Sequence, residues 1–550
     1  MTHKITQGPV PIMMFTKPDC SYCARAKATL RQAGLSWDEI DVTSQEGGAD
    51  ASVFWSGLTT VPQIFIGTYH VRGAEDLEQI ARTGRLQDLV AMSHAQSIDL
   101  TTITQADLKT GAEDQPFRTV IPKSGGARDT DPEAWPIIRF YKDFFGFWPN
   151  TFAYLHHWPE AYKLFMYGHN FAAIRAGRKV LSEPLMLAVA YGTSEAQGCN
   201  YCQAHSAAFA GDASNKIVAT LKSSNAEADS GPIGDYERAL VRLASRASHN
   251  TVSDSLRRAI EAKADQASGG PRDAQADISA TALVVSAFGF LNVFNGLVGM
   301  QIEGDWAKSV ERVGVEAGRH GAEASNPDNL DYEMPDGGPT LEDMLATTQS
   351  VVDDMDAYAV REFGFTPAWM TAFPEDLRKG HAAFYGELMG PRPHSELSSE
   401  LKHLLARVAA ISKGHDHLAA AEGAMAHHVA TDKSQAVQRI KDCYAAATDR
   451  VETGSLFTDA ERAALRIAWL SAQVPLTTPR RFVAPAVEAF GTKGLIEIFT
   501  VCGIASLVQR YVAILPQQIE PEVNAFLRAH GLETDTLTLR YPLPTVSEAA

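Results

Sequence analysis

Cysteine is scarce in this chain, six in 550 residues. That excludes a scaffold held together by disulfides and suits a reducing compartment where the few thiols do chemistry. Basic residues are outnumbered, with 49 Lys plus Arg against 66 Asp plus Glu and a formal net charge of -17. Such a surface repels a polyanion, so nucleic acid is not expected as a partner. The apolar run ending at Phe15 is too short, and too broken by Pro9 and Pro11, for a signal-peptide core, and a cytoplasmic protein is expected. Long uncharged runs are also few. Ala282 to Gln301 has the length of a membrane span, but its counterpart near 494–513 carries Glu497 and Arg510, which are costly in hydrocarbon. Both are read as buried core helices, with no membrane partner. What remains is an ordinary globular composition, 45% hydrophobic and 21% charged, with length for about three or four domains.

The first 90 or so residues alternate strand and helix signals: apolar Pro11 to Phe15, helical Ala24 to Ala33 ended by Gly34, extended Ser36 to Val42, then Val61 to Ile66. This predicts a small α/β domain over 1–92. Periodicity fades over 93–135, where polar and turn residues gather, and an interdomain linker is expected there. The rest reads as all-α, with amphipathic stretches such as Asp235 to Ser248 and Asp459 to Ala472. It also repeats. Phe145-Gly-Phe-Trp-Pro149 recurs as Phe363-Gly-Phe-Thr-Pro367, and Leu181 to Ala210 lies over Leu397 to Ala426 without a gap. Two copies of one helical domain, 136–335 and 336–532, are therefore expected, with a polar tail over 533–550.

Thr16-Lys-Pro-Asp-Cys20-Ser-Tyr-Cys23 follows a predicted strand and opens a predicted helix, so the helix N-terminus faces the first sulfur and lowers its pKa, with Lys17 adding to the effect. Cys20 is the expected nucleophile and Cys23 the resolving thiol. With Thr60-Val-Pro-Gln-Ile-Phe-Ile-Gly67 and Gly73-Ala-Glu-Asp76-Leu, residues 8 to 90 resemble the glutaredoxin family, which has a thioredoxin-like fold. The resemblance implies a cis-Pro62 loop facing the C-x-x-C site. It also implies glutathione as partner and electron donor, held by Lys17, Tyr22, Thr60, Val61, Pro62, Glu75 and Asp76. Arg72 departs from the pattern, standing where the family usually has glycine; it either alters the glutathione contacts or supplies a further cation.

A second motif, Glu195-Ala-Gln-Gly-Cys199-Asn-Tyr-Cys202-Gln-Ala-His205, lies in helical sequence with Gly198 as a break. Steps of three place Cys199, Cys202 and His205 on one side of the helix that follows. With Trp158 to Gly168 and Leu185 to His205, it resembles the carboxymuconolactone decarboxylase and alkylhydroperoxidase D superfamily, here as a tandem of AhpD-like helical domains. The resemblance implies that Cys202 attacks a hydroperoxide, Cys199 resolves the sulfenic acid and His205 takes the Cys202 proton. Glu195 is the expected relay carboxylate and Glu183 the alternative. It further implies homo-oligomeric packing of the helical units.

In the second copy these positions become His415, Leu418 and Ala421, so that copy is expected to be structural. His415, His417, His427, His428 and Glu422 are read as solvated, and Cys443 and Cys502 as core residues. No metal site and no bound cofactor are expected. The leading reading is a thiol peroxidase recharged by its own glutaredoxin-like domain with glutathione. The alternatives are a general protein disulfide reductase or redox relay without peroxidase activity, and a carboxymuconolactone decarboxylase-like enzyme.

Overall fold

The apolar run Ile12–Thr16 forms strand β1, and its alternation sorts the core of the first domain. Met13 and Phe15 pack with Ile40, Ala51 and Phe65 on one face of the sheet. Ile12 and Met14 meet Ile64, Ile66, Leu30 and Leu77 on the other. β1 pairs in parallel with β2 (Asp38–Asp41) and antiparallel with β3 (Gln63–Ile66), which pairs antiparallel with β4 (Tyr69–Arg72), giving the order β2-β1-β3-β4. Helices Ser21–Gln32, Gly48–Ser56 and Ala74–Arg82 complete this small mixed α/β unit, a thioredoxin-like arrangement.

The computed structural model describes residues 12–56, 58–66, 69–82, 86, 87, 90, 113–124, 131–207, 214–222, 233–267, 270–312, 314–447, 456–474 and 476–532. The expected tail 533–550 and residues 93–112 of the expected linker lie outside these. Residues 113–124 of that linker are firmly packed. Phe117 and Ile121 are fully buried, Phe117 against the ring of Phe499 at 4.5 Å. Asp114 takes a two-pronged bond from Arg319 and one from the Thr478 amide. An apolar pair one turn apart gives this stretch a reason to fold onto the helices.

Beyond β4, the described residues are helical or irregular, with two isolated bridges. The two long apolar helices, Ala274–Val298 and Thr492–Ile514, are buried and pack along each other. Gly289 permits the approach: a Cβ there would stand 3.0 Å from the Ser506 carbonyl oxygen and 2.9 Å from Arg510 Cδ.

The two aligned segments share a backbone turn. Helix Glu183–Gln197 ends at Gly198 (φ 77) and helix Ser399–Lys413 ends at Gly414 (φ 72), both in the left-handed region that glycine adopts at no steric cost. The next residue caps the following helix with matching dihedrals, Cys199 at φ -91, ψ 88 and His415 at φ -94, ψ 85. Each copy thus has the same helix-glycine-helix elbow. Thiols occupy only the first.

Candidate functional site

In the small domain, Cys20 caps helix Ser21–Gln32 and is joined to Cys23 by a disulfide. Cys23 is buried, whereas Cys20 is half-buried and carries the exposed face of the pair. The Cys20 sulfur accepts the Cys23 amide at 3.1 Å and lies 3.8 Å from the Val61 carbonyl oxygen, next to a cis Val61–Pro62 bond. A pocket of about 330 Å³ lies here. Tyr22, Thr60, Val61, Pro62, Glu75 and Asp76 all line it, so the structure brings together six of the seven residues expected to hold glutathione; Lys17 is exposed just ahead of the helix.

The second site is built on the first elbow. Cys199 and Cys202 are 2% and 3% exposed, and their sulfurs are 3.0 Å apart without a bond. Burial raises both thiols. For Cys199 the hydrogen bond with Cys202 and the nearby His320 overcome that and pull it well below the usual thiol range, while Cys202, beside that sulfur, is pushed up. Asn295 donates to the Cys202 sulfur at 3.4 Å and is held by Thr151 at 3.0 Å.

His205 is engaged at both ring nitrogens. Nδ1 donates to the Tyr201 carbonyl at 2.9 Å, and Nε2 meets Glu303 Oε2 in an ion-pair contact at 3.1 Å. Glu303 is fully buried, and its other oxygen accepts the Tyr201 hydroxyl at 2.7 Å and the Asn150 amide at 2.6 Å. Burial lowers the histidine, but the Glu303 charge outweighs it and raises His205 above its ordinary value. Burial raises Glu303, and His205 with the donated bonds outweighs that and lowers it. Each partner thus favours the charged form of the other.

Cys202 and His205 open onto a cavity of about 80 Å³ walled by Phe140, Phe144, Phe145, Phe152, Phe171 and Phe288, with Arg178 also on the lining. From the far side, Arg510 of the second copy reaches in. Its buried guanidinium donates to Thr193 Oγ1 at 3.0 Å and to Gln197 Oε1 at 2.8 Å, both on the helix that leads to Cys199. Burial lowers its pKa to about 10, which still leaves it a cation at neutral pH and in range of both sulfurs.

Comparison with known proteins identifies the first of these sites. Residues 12–71 match the glutaredoxin family. Glutaredoxin 3 of Escherichia coli K12 is 38% identical over 79 residues, 14% of this chain and 95% of that protein. The chain belongs to the glutaredoxin family. A protein of Haemophilus influenzae Rd named hybrid peroxiredoxin hyPrx5 is 47% identical over 72 residues, 12% of this chain, and the chain spans 28% of its length. A solved buckwheat glutaredoxin–glutathione complex is 30% identical, covering 16% of this chain and 83% of that one, with a TM-score of 0.15. The glutaredoxin domain is thus a thiol oxidoreductase, and glutaredoxins use glutathione as reductant.

The glutaredoxin motifs are local, and the resemblance that carries them rests on three short segments. In the first helical elbow, Cys202 and His205 line one cavity and the Cys199 sulfur lies against that of Cys202, but neither carboxylate expected from the sequence meets the histidine. Glu195 and Glu183 are exposed on their helix, and the carboxylate that meets His205 is Glu303. The two His205 ring nitrogens are taken by the Tyr201 carbonyl and Glu303. Glu303, His320 and Arg510 were not foreseen from the sequence. A signal existed for the first two: Gly299, Gly318 and Gly321 mark tight turns in the loop after the long helix.

The second copy also departs from expectation. Glu422 and His415 are buried, not solvated. Glu422 accepts the Tyr385 hydroxyl at 2.6 Å and pairs with His403 at 2.7 Å. Cys443 and Cys502 lie in the core.

Proposed function

We propose that the chain is a thiol peroxidase whose reductant is fused to it: an apolar hydroperoxide is reduced at Cys202 and the resulting Cys199–Cys202 disulfide is reduced through Cys20 with glutathione. The observation that carries this reading is a dithiol with sulfurs 3.0 Å apart, one of them facing an aromatic cavity beside a buried histidine paired with Glu303. The likeness of the helical tandem to AhpD-like proteins, and the name of the Haemophilus relative, support it.

The hydroperoxide's organic group lies among Phe140, Phe145 and Phe152, with its O–O bond at Cys202. Cys202 loses its proton to the neighbouring Cys199 thiolate and attacks the terminal oxygen; an S–O bond forms, the O–O bond breaks, and the alkoxide leaves as alcohol with a proton from His205. Cys199 then displaces hydroxide from the sulfenic acid, forming the disulfide and, after protonation, water. Two thiols are oxidised, and one hydroperoxide becomes one alcohol and one water.

Both sulfurs are buried in the dithiol state, which favours a small oxidant over a folded protein client. Reduction follows when Cys20 reaches the Cys199–Cys202 disulfide. Thiolate exchange at the disulfide followed by two glutathione molecules restores both dithiols and yields glutathione disulfide.

The test is NADPH consumption with glutathione, glutathione reductase and cumene hydroperoxide. Wild type turns over, Cys202→Ser does not, and Cys20→Ser completes one stoichiometric round and stops. Undiminished turnover in both variants contradicts the proposal.

A further inference from the structure

The loop that follows the helix Ala274–Val298 brings two groups to the first elbow. Ile302 donates its amide to the Gly321 carbonyl at 3.1 Å, and Glu323 donates its amide to the Ile302 carbonyl at 2.8 Å, closing a short parallel bridge. Glu303 follows one arm of that bridge and His320 precedes the other. Glu303 meets His205, whereas His320 goes to Cys199.

His320 ends a single tight turn, Gly318–His320, laid against the helix Asn200–Ser206. Gly318 permits the approach: it stands at φ 53, and a Cβ there would lie 2.5 Å from Asn200 Oδ1. From the other side Arg319 donates to the Gly296 carbonyl at 2.6 Å and to both oxygens of Asp114. The turn is thus fixed on both flanks, and His320 itself is 1% exposed. Its Nδ1 donates to the Met300 carbonyl at 2.8 Å. A carbonyl oxygen only accepts, so Nδ1 carries a hydrogen, and in the neutral ring the lone pair is then on Nε2. With Nδ1 committed, Nε2 is the nitrogen left for the hydrogen bond with Cys199.

His205 has no such nitrogen to give, since Tyr201 and Glu303 take both. Burial disfavours a thiolate at Cys199, and the contacts that favour one come from Cys202 and His320. His205 and Arg510 are the other charged groups in range of that sulfur.

We propose that His320 is the base for the resolving thiol, its Nε2 taking the Cys199 proton as that sulfur attacks the Cys202 sulfenic acid. The proton route rests on the peroxidase reading; the contact between histidine and thiol does not. In the resolving step the S–S bond forms and the S–O bond of the sulfenic acid breaks. The Cys199 proton passes to Nε2 and leaves with the departing hydroxide as water, so the ring ends neutral and no further reactant is consumed.

Two variants separate this role from packing. His320→Asn places an amide where Nδ1 donates to Met300 and leaves nothing at Nε2; His320→Gln keeps the length without a group that takes a proton. Thiolate ultraviolet absorbance is titrated in the full chain with Cys20, Cys23 and Cys202 replaced by serine. Cys199 is then read apart from Cys443 and Cys502, which burial pushes up. Both variants move the Cys199 titration up by about one pH unit, a tenfold change in the thiolate ratio. An unmoved titration in both overturns the inference. With the other cysteines restored, cumene hydroperoxide and dimedone are added together. The disulfide closes about a hundredfold more slowly in His320→Asn than in wild type, and the Cys202 sulfenic acid is captured instead. Closure as fast as in wild type also overturns the inference. A wild-type chain that forms neither sulfenic acid nor disulfide removes the peroxidase reading, a different failure, and the titration still decides whether His320 governs Cys199.

Discussion

The Arg510 guanidinium ends 2.8 Å from the side-chain oxygen of Gln197, although the two residues are 313 apart in sequence and belong to different copies of the repeat. The second elbow carries no thiols at the aligned positions, yet the later half of the chain supplies a cation within range of the thiols of the first. Arg510→Met removes that cation and leaves Thr193 and Gln197 without their donor. We expect the Cys199/Cys202 pair to ionise at higher pH, followed by thiolate ultraviolet absorbance, and the fold to lose about 3 kcal/mol. An unshifted thiolate titration would remove Arg510 from the site's electrostatics.

Glu303→Gln tests the buried ion pair. Glu303 raises His205, so that histidine stabilises the fold fully below its unfolded pKa, about 6.5, and the contribution is lost as pH rises through the higher folded value. Glu303 is itself lowered, so its contribution is present above about pH 4.3 and lost as pH falls through the lower folded value. Wild-type stability is therefore largest between these limits. In the Gln variant, burial dominates, His205 becomes neutral, the optimum flattens and the fold loses about 3 kcal/mol near the former maximum. Denaturant melts across pH measure both effects.

Arg72 holds a left-handed conformation, φ 79, which costs a residue with a Cβ roughly 1 kcal/mol. It also holds the Ser412 carbonyl, a charged hydrogen bond contributing about 1.5–3 kcal/mol. The bond outweighs the backbone strain. Arg72→Gly should consequently loosen the docked glutaredoxin while leaving its sheet intact. Amide hydrogen exchange then accelerates at Ser399–Lys413 and at β4 but not at β1; equal protection in variant and wild type would show that the contact contributes nothing.

Cavity access separates the two buried thiols. Cys202 lines the aromatic cavity with His205, so Cys199→Ser exposed to cumene hydroperoxide accumulates a sulfenic acid on Cys202, captured by dimedone. Cys202→Ser yields no such adduct on Cys199. Labelling of Cys199 in the second variant would reverse the assigned roles.

What the sequence made legible is what local geometry determines. Cys20 and Cys23 sit at the start of a helix that Gly34 ends, and Gly198 announces the elbow that orients Cys199, Cys202 and His205. Glu303 was invisible because it reaches Tyr201 across 102 residues, through a loop whose course depends on how the long helix is buried. Glu195 looked better placed only because it is one turn from Cys199; on the folded helix that position points outward. Phe117 and Ile121 carried an apolar signal within a polar stretch, and tertiary burial, not periodicity, decided their fate.

Electrons are expected to reach the buried pair through Cys20, and one measurement follows that route directly. The full-length protein is oxidised with one equivalent of cumene hydroperoxide, glutathione is added, and the Cys199–Cys202 disulfide is followed by quenched alkylation and mass spectrometry. The disulfide disappears quickly in wild type and persists in Cys20→Ser. Equal rates of loss in the two proteins would mean that glutathione reduces the helical site unaided, and the fused relay would be wrong.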